Sequence, residues 1–358
     1  MTETNSLAIL TEASKMLAQA NTLQKVQEFK NMALTAADFA KRKGMATEIV
    51  GSAMGYAFDA ERKMGEMLAA TERATGGDAQ RTRFQDGIES PPTLAALGIK
   101  PKDSMDAQMV SKLPEKKYEE KREKLVTGTI KTLGRIHGEI KREEVKEIKI
   151  REISKAAKNK IMPKDITLFC CDLTTTKITP GSIDAIVTDP PYGKEYLPLY
   201  TKLSEKAALW LRDGGTLAVM IGHTQIMEIM QELSKHLHYQ WMFAYFLEGA
   251  PTQIKNPLIN SRWKPVLWYT KGEKSTGCRM DVFKSDAPDK SLHDWGQSES
   301  GMDAIVKCFC RPGDTVLDPF MGAGTTGVIA VRNKMKFTGI ELDKKTFKIA
   351  EDRIKCEL

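Results

Sequence analysis

Asp189, Pro190, Pro191 and Tyr192 follow directly on the apolar run at 183–187, so an acidic side chain, two fixed backbone angles and an aromatic ring leave one strand end together. Each proline locks φ and lacks an N–H, which stiffens the segment and leaves the Asp189 carboxylate and the Pro190 carbonyl as a rigid pair of acceptors. An exocyclic amino group has two N–H bonds to donate to such a pair. Held that way, its nitrogen lone pair points toward the direction from which an electrophilic methyl would arrive. Tyr192 offers a face on which a flat base can stack, as bases extruded from a duplex are gripped.

A second strand end carries complementary residues. In PGDTVLDPFMGAGTTGVIA, residues 312–330, a strand ends at Asp318 and Gly322-Ala323-Gly324 opens a helix. Glycines let the backbone pass close to a ligand, and Asp318 can accept hydrogen bonds from an ammonium or from backbone donors. The next strand ends at Glu341, where a carboxylate can hold both hydroxyls of a ribose. Together these residues describe a nucleoside-bearing cofactor. Gly322, Gly324 and Gly327 also satisfy G-x-G-x-x-G, which admits a nicotinamide dehydrogenase, but such an enzyme has no need for Asp-Pro-Pro-Tyr at a neighbouring strand end. The G-x-x-x-x-G-K-[ST] phosphate loop is absent from the sequence.

The elements that must position these residues follow from periodicity. From residue 163 onward short β-rich runs, at 166–170, 184–188, 216–222, 241–247, 265–270, 315–318 and 337–341, alternate with helical stretches at 198–212, 224–236, 301–310, 325–334 and 344–355. Such alternation predicts an α/β fold with a doubly wound, mostly parallel sheet and ligands outside the carboxyl ends of its strands. The runs at 241–247 and 265–270 have no helix between them and predict an antiparallel edge hairpin.

Ahead of this core the sequence reads as an all-α N-terminal domain. Residues 1–73 show helical spacing of Ala, Met and Leu, and 74–92 are rich in Gly, Pro and polar residues, as in a loop. At 93–113 a short apolar helix, Gly98 at a turn and a second helix capped by Ser104 predict a helix-turn-helix. The divisions expected are a helical domain at 1–113, a basic amphipathic linker helix at 114–160 and a catalytic domain at 161–358. Residues 121–160 hold thirteen Lys and Arg against six Asp and Glu, which is the whole of the net charge of +7. That segment can track a phosphate backbone, and its apolar residues at near-helical spacing suit a packed or dimerising helix equally well.

Composition narrows the class further. With 358 residues and 41% hydrophobic side chains the chain can bury a full core, and its length suggests two domains. No signal pattern and no apolar run of membrane-spanning length occur, so no membrane association and a cytoplasmic, nucleoid-associated location are expected. Cys170, Cys171, Cys278, Cys308, Cys310 and Cys356 form no C-x-x-C pair and have no histidines at zinc spacing, so reduced thiols and no metal are expected. His223 at a strand end can line a base pocket or make a structural hydrogen bond, and His293 and Trp295 are expected near the cofactor.

DPPYG together with DPFMGAGTT resembles the S-adenosylmethionine-dependent amino methyltransferases that modify adenine or cytosine in bacterial and phage DNA, over roughly residues 163–356. The catalytic motif precedes the cofactor motif, which resembles the permuted beta group of these enzymes, including those of restriction-modification systems. The resemblance implies S-adenosylmethionine as cofactor and double-stranded DNA as partner. It implies that Asp189, Pro190, Pro191 and Tyr192 hold and activate the amine. Asp172, Asp318, Pro319, Phe320, Gly322, Gly324, Thr325 and Glu341 would bind the cofactor, with Asp172 at its adenine. Asp in the first catalytic position, where Ser is usual for cytosine, favours adenine.

One departure from the family is plain. Only about 20 residues separate the edge strand from HDWGQ, too few for a full target-recognition domain. Sequence reading would then fall to the loop at 248–264, to the N-terminal helices or to a second subunit in a homodimer built through those helices. In the loop, Arg262 and Lys264 can touch phosphates, and Asn256 or Gln253 can read adenine bidentately. Other expectations consistent with the same residues are a cytosine amino, RNA or protein-glutamine methyltransferase, and a DNA-binding module with a vestigial catalytic half.

Overall fold

The computed structural model describes residues 13–71, 93–246, 248, 251–255, 257–272, 280–286 and 298–358. The chain divides into two compact units, 1–144 and 145–358.

The first unit is helical. After a helical segment at 13–19 come α1 (Leu23–Arg42), α2 (Thr47–Ala70), α3 (Pro101–Ser111), α4 (Glu115–Val126) and α5 (Leu133–Ala157), the last of which runs on into the second unit. Thr22 caps α1 by accepting the Lys25 N–H, and Gly44 turns the chain into α2 at φ +63°. The helices bury Phe58, Met64, Val110, Leu125 and Ile136. Charged side chains are buried among them in pairs: Lys30 bonds Glu61 at 2.8 Å, and Glu61 bonds His137 Nε2 at 2.7 Å.

Backbones approach closely in this unit where glycine permits. A Cβ on Gly65 of α2 would lie 2.1 Å from the Ala107 carbonyl oxygen of α3. Gly65→Ala must therefore push the two helices apart, and the stability of the unit is expected to fall by about 3 kcal/mol. An unchanged midpoint in urea, followed by far-UV circular dichroism, would sink this account of the contact.

Three helical expectations are corrected. Residues 94–98 form turns and not a helix, with Gly98 in the left-handed region at φ +69°. Ser104 does not cap: α3 starts at Pro101, whose fixed φ suits a first helical position, and Ser104 is buried within the helix. The basic stretch at 114–160 is two helices, because Gly128 at φ +72° interrupts the helical path between Val126 and Leu133. Of its apolar stripe, Leu125, Leu133, Ile136 and Ile140 are buried in the helical core, while Val145 and Ile148 are exposed.

The second unit is built on an eight-stranded sheet in the order β1-β10-β9-β2-β3-β7-β4-β8. The strands are β1 (Ile166–Phe169), β2 (Ile183–Thr188), β3 (Leu211–Met220), β4 (His238–Phe246), β7 (Trp263–Thr270), β8 (Val282–Lys284), β9 (Thr315–Asp318) and β10 (Lys336–Ile340). Every neighbouring pair is parallel except the two that include β7. The expected β4/β7 hairpin forms, but β8 pairs beyond β4, so the hairpin lies one strand in from the edge. Three residues are too few to show alternation, which is why β8 was not visible in the sequence. A separate two-stranded hairpin, β5 (Thr252–Lys255) with β6 (Leu258–Ser261), occupies the loop before β7.

Central strands are apolar on both sides, as a sheet covered twice requires. Along β2, Ala185 and Val187 join one core with Ile305, Val328 and Ile354, whereas Ile186 joins the other with Leu203, Trp210 and Leu233. Accordingly α6 (Leu197–Trp210) and α7 (Ile226–Leu233) cover one face, and α8 (Glu299–Phe309), α9 (Thr325–Arg332) and α10 (Lys344–Cys356) the other. The chain runs outward from β2 to β3 on one side and from β9 to β10 on the other. The switch point between β2 and β9 places a crevice at their carboxyl ends.

Candidate active site at the strand ends

A cavity of about 600 Å³ opens at that crevice. The end of β2 contributes Asp189, Pro190, Pro191 and Tyr192, the turn after β9 contributes Pro319, Phe320 and Gly322, and the end of β10 contributes Glu341, Leu342 and Asp343. The segment after β1 adds Cys171 and Asp172, and β7 adds Lys264. The two sequence motifs, far apart in the chain, thus share one cavity.

The motifs are joined beneath its floor. Thr188, the last residue of β2, donates its hydroxyl to Asp318 Oδ1 at 2.7 Å, and the Phe320 N–H donates to the same oxygen at 3.1 Å. Thr326, in the first turn of α9, donates to Oδ2 at 2.6 Å. Asp318 is buried and does not line the cavity: its carboxylate is engaged by three protein donors and braces the turn from behind. Burial pushes its acid up to about 6, against the pull of those three hydrogen bonds.

The glycine turn itself depends on backbone angles that L side chains rarely adopt. Gly322 sits at φ +51° and Gly324 at φ +82°, and a Cβ on Gly324 would come within 3.0 Å of Ala350 in α10. Gly322 lines the cavity, and nothing lies within 4 Å of where a Cβ would be. Glu341 ties the turn to β10: its Oε2 accepts the Gly322 N–H at 3.0 Å and its Oε1 accepts the Asp343 N–H at 2.8 Å. Arg353 of α10 donates to the Ala323 carbonyl at 2.7 Å and to the Thr325 hydroxyl at 3.3 Å. Thr325 and Gly324 stand behind the lining and shape it from there.

At the opposite wall the Tyr192 hydroxyl donates to Asp189 Oδ1. Burial, then the neighbouring Asp189 carboxylate, raises the phenol well above its usual range, so it stays a donor. Lys264 donates from Nζ to the same phenol oxygen at 3.2 Å, with its ammonium 5.0 Å from the ring centroid. Gly222, at the end of β3, faces the ring, and Tyr200 donates to the Pro191 carbonyl at 3.3 Å. His223 packs edge-on against Trp263, and burial followed by the Lys264 charge lowers its pKa. Asp172 is exposed and accepts the Thr174 N–H at 2.7 Å. The Thr174 hydroxyl donates to the same carboxylate oxygen, and hydroxyl and N–H together hold the Asp172 carboxyl below the usual range.

Residues 183–352 match a family described as DNA methylase, of the N6/N4 type. Type II methyltransferase M2.DpnII of Streptococcus pneumoniae is 40% identical over 112 residues, 26% of this chain and 42% of its own length. Type II methyltransferase M2.LlaDCHI of Lactococcus lactis subsp. cremoris is 40% identical over 240 residues, 50% of this chain and 84% of its own length. The chain belongs to this family of DNA methylases. Among solved structures the M1.HpyAVI-SAM complex aligns at a TM-score of 0.44 and 23% identity, over 52% of this chain and 99% of that one.

The cofactor of a methylase of this family is S-adenosylmethionine, and the cavity fits it on its own evidence. Gly322 lines the cavity with open space where a side chain would stand, and Glu341 lines it beside the exposed Leu342, each carboxylate oxygen taking one backbone N–H and keeping a further lone pair. No group of histidine, cysteine or acidic residues suited to a metal occurs among the described residues, and no described helix is long and apolar enough to cross a membrane.

Of the residues expected to touch DNA, Arg262 is exposed between β6 and β7, and Gln253 is exposed on the β5–β6 hairpin. Lys264, expected at phosphates, lines the cavity at the strand ends. Asn256, His293 and Trp295 lie outside the described residues. Sequence reasoning missed Thr188 and Thr326, whose hydroxyls reach Asp318. Their signal was a polar residue at an otherwise apolar strand end and helix start.

Proposed function

We propose that the protein methylates the 6-amino group of an adenine flipped out of double-stranded DNA. The observation that carries this reading is the pairing, in one cavity, of the Asp189 carboxylate and Tyr192 ring with the Gly322 and Glu341 cradle. When bound, S-adenosylmethionine supplies an electrophilic methyl group. The chain's own residues present the acceptor. Asp189 Oδ1 takes one amine N–H once the Tyr192 hydroxyl yields it, the Pro190 carbonyl takes the other, and Tyr192 stacks on the base. Asp172 and Glu341 contact the two ends of the nucleoside, and Phe320 and Gly322 line its methionine end.

Asp at position 189 supports adenine over cytosine. The helical domain at 1–113 and the basic segment at 114–160 are assigned DNA contact, and the helices also self-association into a homodimer. With DNA as partner the enzyme acts in the cytoplasm at the nucleoid.

The test is methyl transfer from labelled S-adenosylmethionine to unmethylated duplex DNA, with nucleoside digestion and mass spectrometry. N6-methyladenine is the expected product. N4-methylcytosine would transfer the same residues to the other base, and cofactor binding with no methylated base would move the substrate to RNA or a protein amide.

A further inference from the structure

Lys264 is where it is because β7 runs against its neighbours. In a parallel strand the second residue would lie at the far end of the sheet. In β7 the reversed direction brings Trp263 and Lys264 opposite Phe246 and Tyr245, at the same end as Asp189. The ammonium is half-buried in the cavity wall, and among the described residues it forms no ion pair with a carboxylate. Its contacts are the Tyr192 hydroxyl and ring. An ammonium carries three N–H donors and the phenol oxygen takes one, so donors remain for a ligand in the cavity.

Asp189 and Lys264 bond the same phenol oxygen, the one accepting from it and the other donating to it. One acceptor and one donor therefore stand side by side at the rim of a single aromatic platform. A base stacked on Tyr192 meets both groups with its edge. Adenine presents an amino donor next to the N1 acceptor, and cytosine an amino donor next to the N3 acceptor. Guanine and thymine place a carbonyl acceptor beside a ring N–H, the reverse order. From this arrangement we infer that Lys264 is a base-reading residue: it donates to the ring nitrogen adjacent to the amine that Asp189 holds. It selects amino bases and engages the lone pair of the ring nitrogen, the competing nucleophile, so that only the amine is free to react. The inference rests on the reading of this cavity as the site of amine methylation.

The test uses the full-length enzyme and a duplex whose target adenine, located by the methylation assay, is replaced by 1-deazaadenine. Should the product be N4-methylcytosine, 3-deazacytosine takes its place. Wild type is expected to methylate the deaza duplex about 10- to 100-fold more slowly than the parent, the loss of one hydrogen bond from a charged donor. Lys264→Met should lose a similar factor on the parent duplex and nothing further on the deaza duplex, with cofactor affinity within twofold of wild type. Lys264→Arg, which keeps a charged donor, should recover most of the parent rate.

Losses that multiply, or a wild type indifferent to the missing nitrogen, overturn the assignment. So does a Lys264→Met variant with unchanged kcat, weaker DNA binding and a salt slope lower by about one, since that is the signature of a phosphate contact. The wild-type arm does not depend on how the variants fold. Failure of the underlying reading looks different, because wild type would then methylate no base in the parent duplex.

Discussion

Asp189→Ala should reduce methyl transfer by about 10³-fold while cofactor affinity stays within a few-fold of wild type. The asymmetry follows from geometry. Asp189 and Tyr192 enter the cavity from the end of β2 and bond each other, while the glycine turn and Glu341 enter from β9 and β10 and are tied by their own hydrogen bond. Removing the carboxylate therefore deletes the acceptor that orients the amine without loosening the cradle. Asp189→Asn keeps an acceptor oxygen and should lose less, on the order of 10²-fold. Titration calorimetry with S-adenosylmethionine, alongside single-turnover methylation, separates the two quantities. An Ala variant whose cofactor affinity collapses together with its rate would show that the assigned division between the walls is wrong.

Glu341→Ala should do the reverse, weakening cofactor binding by about 10²-fold and lowering the rate at saturating cofactor less than tenfold. Two effects add. The carboxylate is the acceptor assigned to the ribose hydroxyls, where each hydrogen bond to a charged group is worth roughly 1.5–3 kcal/mol. It also receives the Gly322 N–H at 3.0 Å and the Asp343 N–H at 2.8 Å, so its loss frees the glycine turn from β10. Glu341→Gln retains oxygen for one of these roles and should fall between. Binding by the Ala variant within threefold of wild type would remove Glu341 from the cofactor site.

The core strands and the glycine turn could be read from the chain because each is written locally. Ala185, Ile186 and Val187 in one strand and Val316 and Leu317 in the other form short apolar runs, and the clustered glycines at Gly322 and Gly324, both at positive φ, mark a turn openly in the sequence. What escaped reading is set by partners distant in sequence. Thr188 and Asp318 meet across 130 positions, and a polar residue at an apolar strand end signals a bond without naming its partner. Lys264 read as a loop cation because the apolar run begins at Pro265, whereas pairing with β4 extends β7 back to Trp263 and sets Lys264 opposite Tyr245. The helical unit was legible as helices but not as a charge network. His137 of α5 meets Glu61 of α2 only after folding, and Gly128 interrupts a periodicity that otherwise reads as continuous.

The pairing of β2 with β9 bears on how such a chain can be rewired. Ala185 pairs with Val316 and Ile186 with Leu317, so the spacing between the Asp189 wall and the glycine turn is fixed by a ladder of backbone hydrogen bonds and by the Thr188 to Asp318 bond. The intervening chain does not set it. The order in which the two halves are synthesised is therefore immaterial to the geometry of the cavity. A gene in which the segment carrying β9, α9, β10 and α10 is moved ahead of β2 would rebuild the same chemical site from transposed pieces.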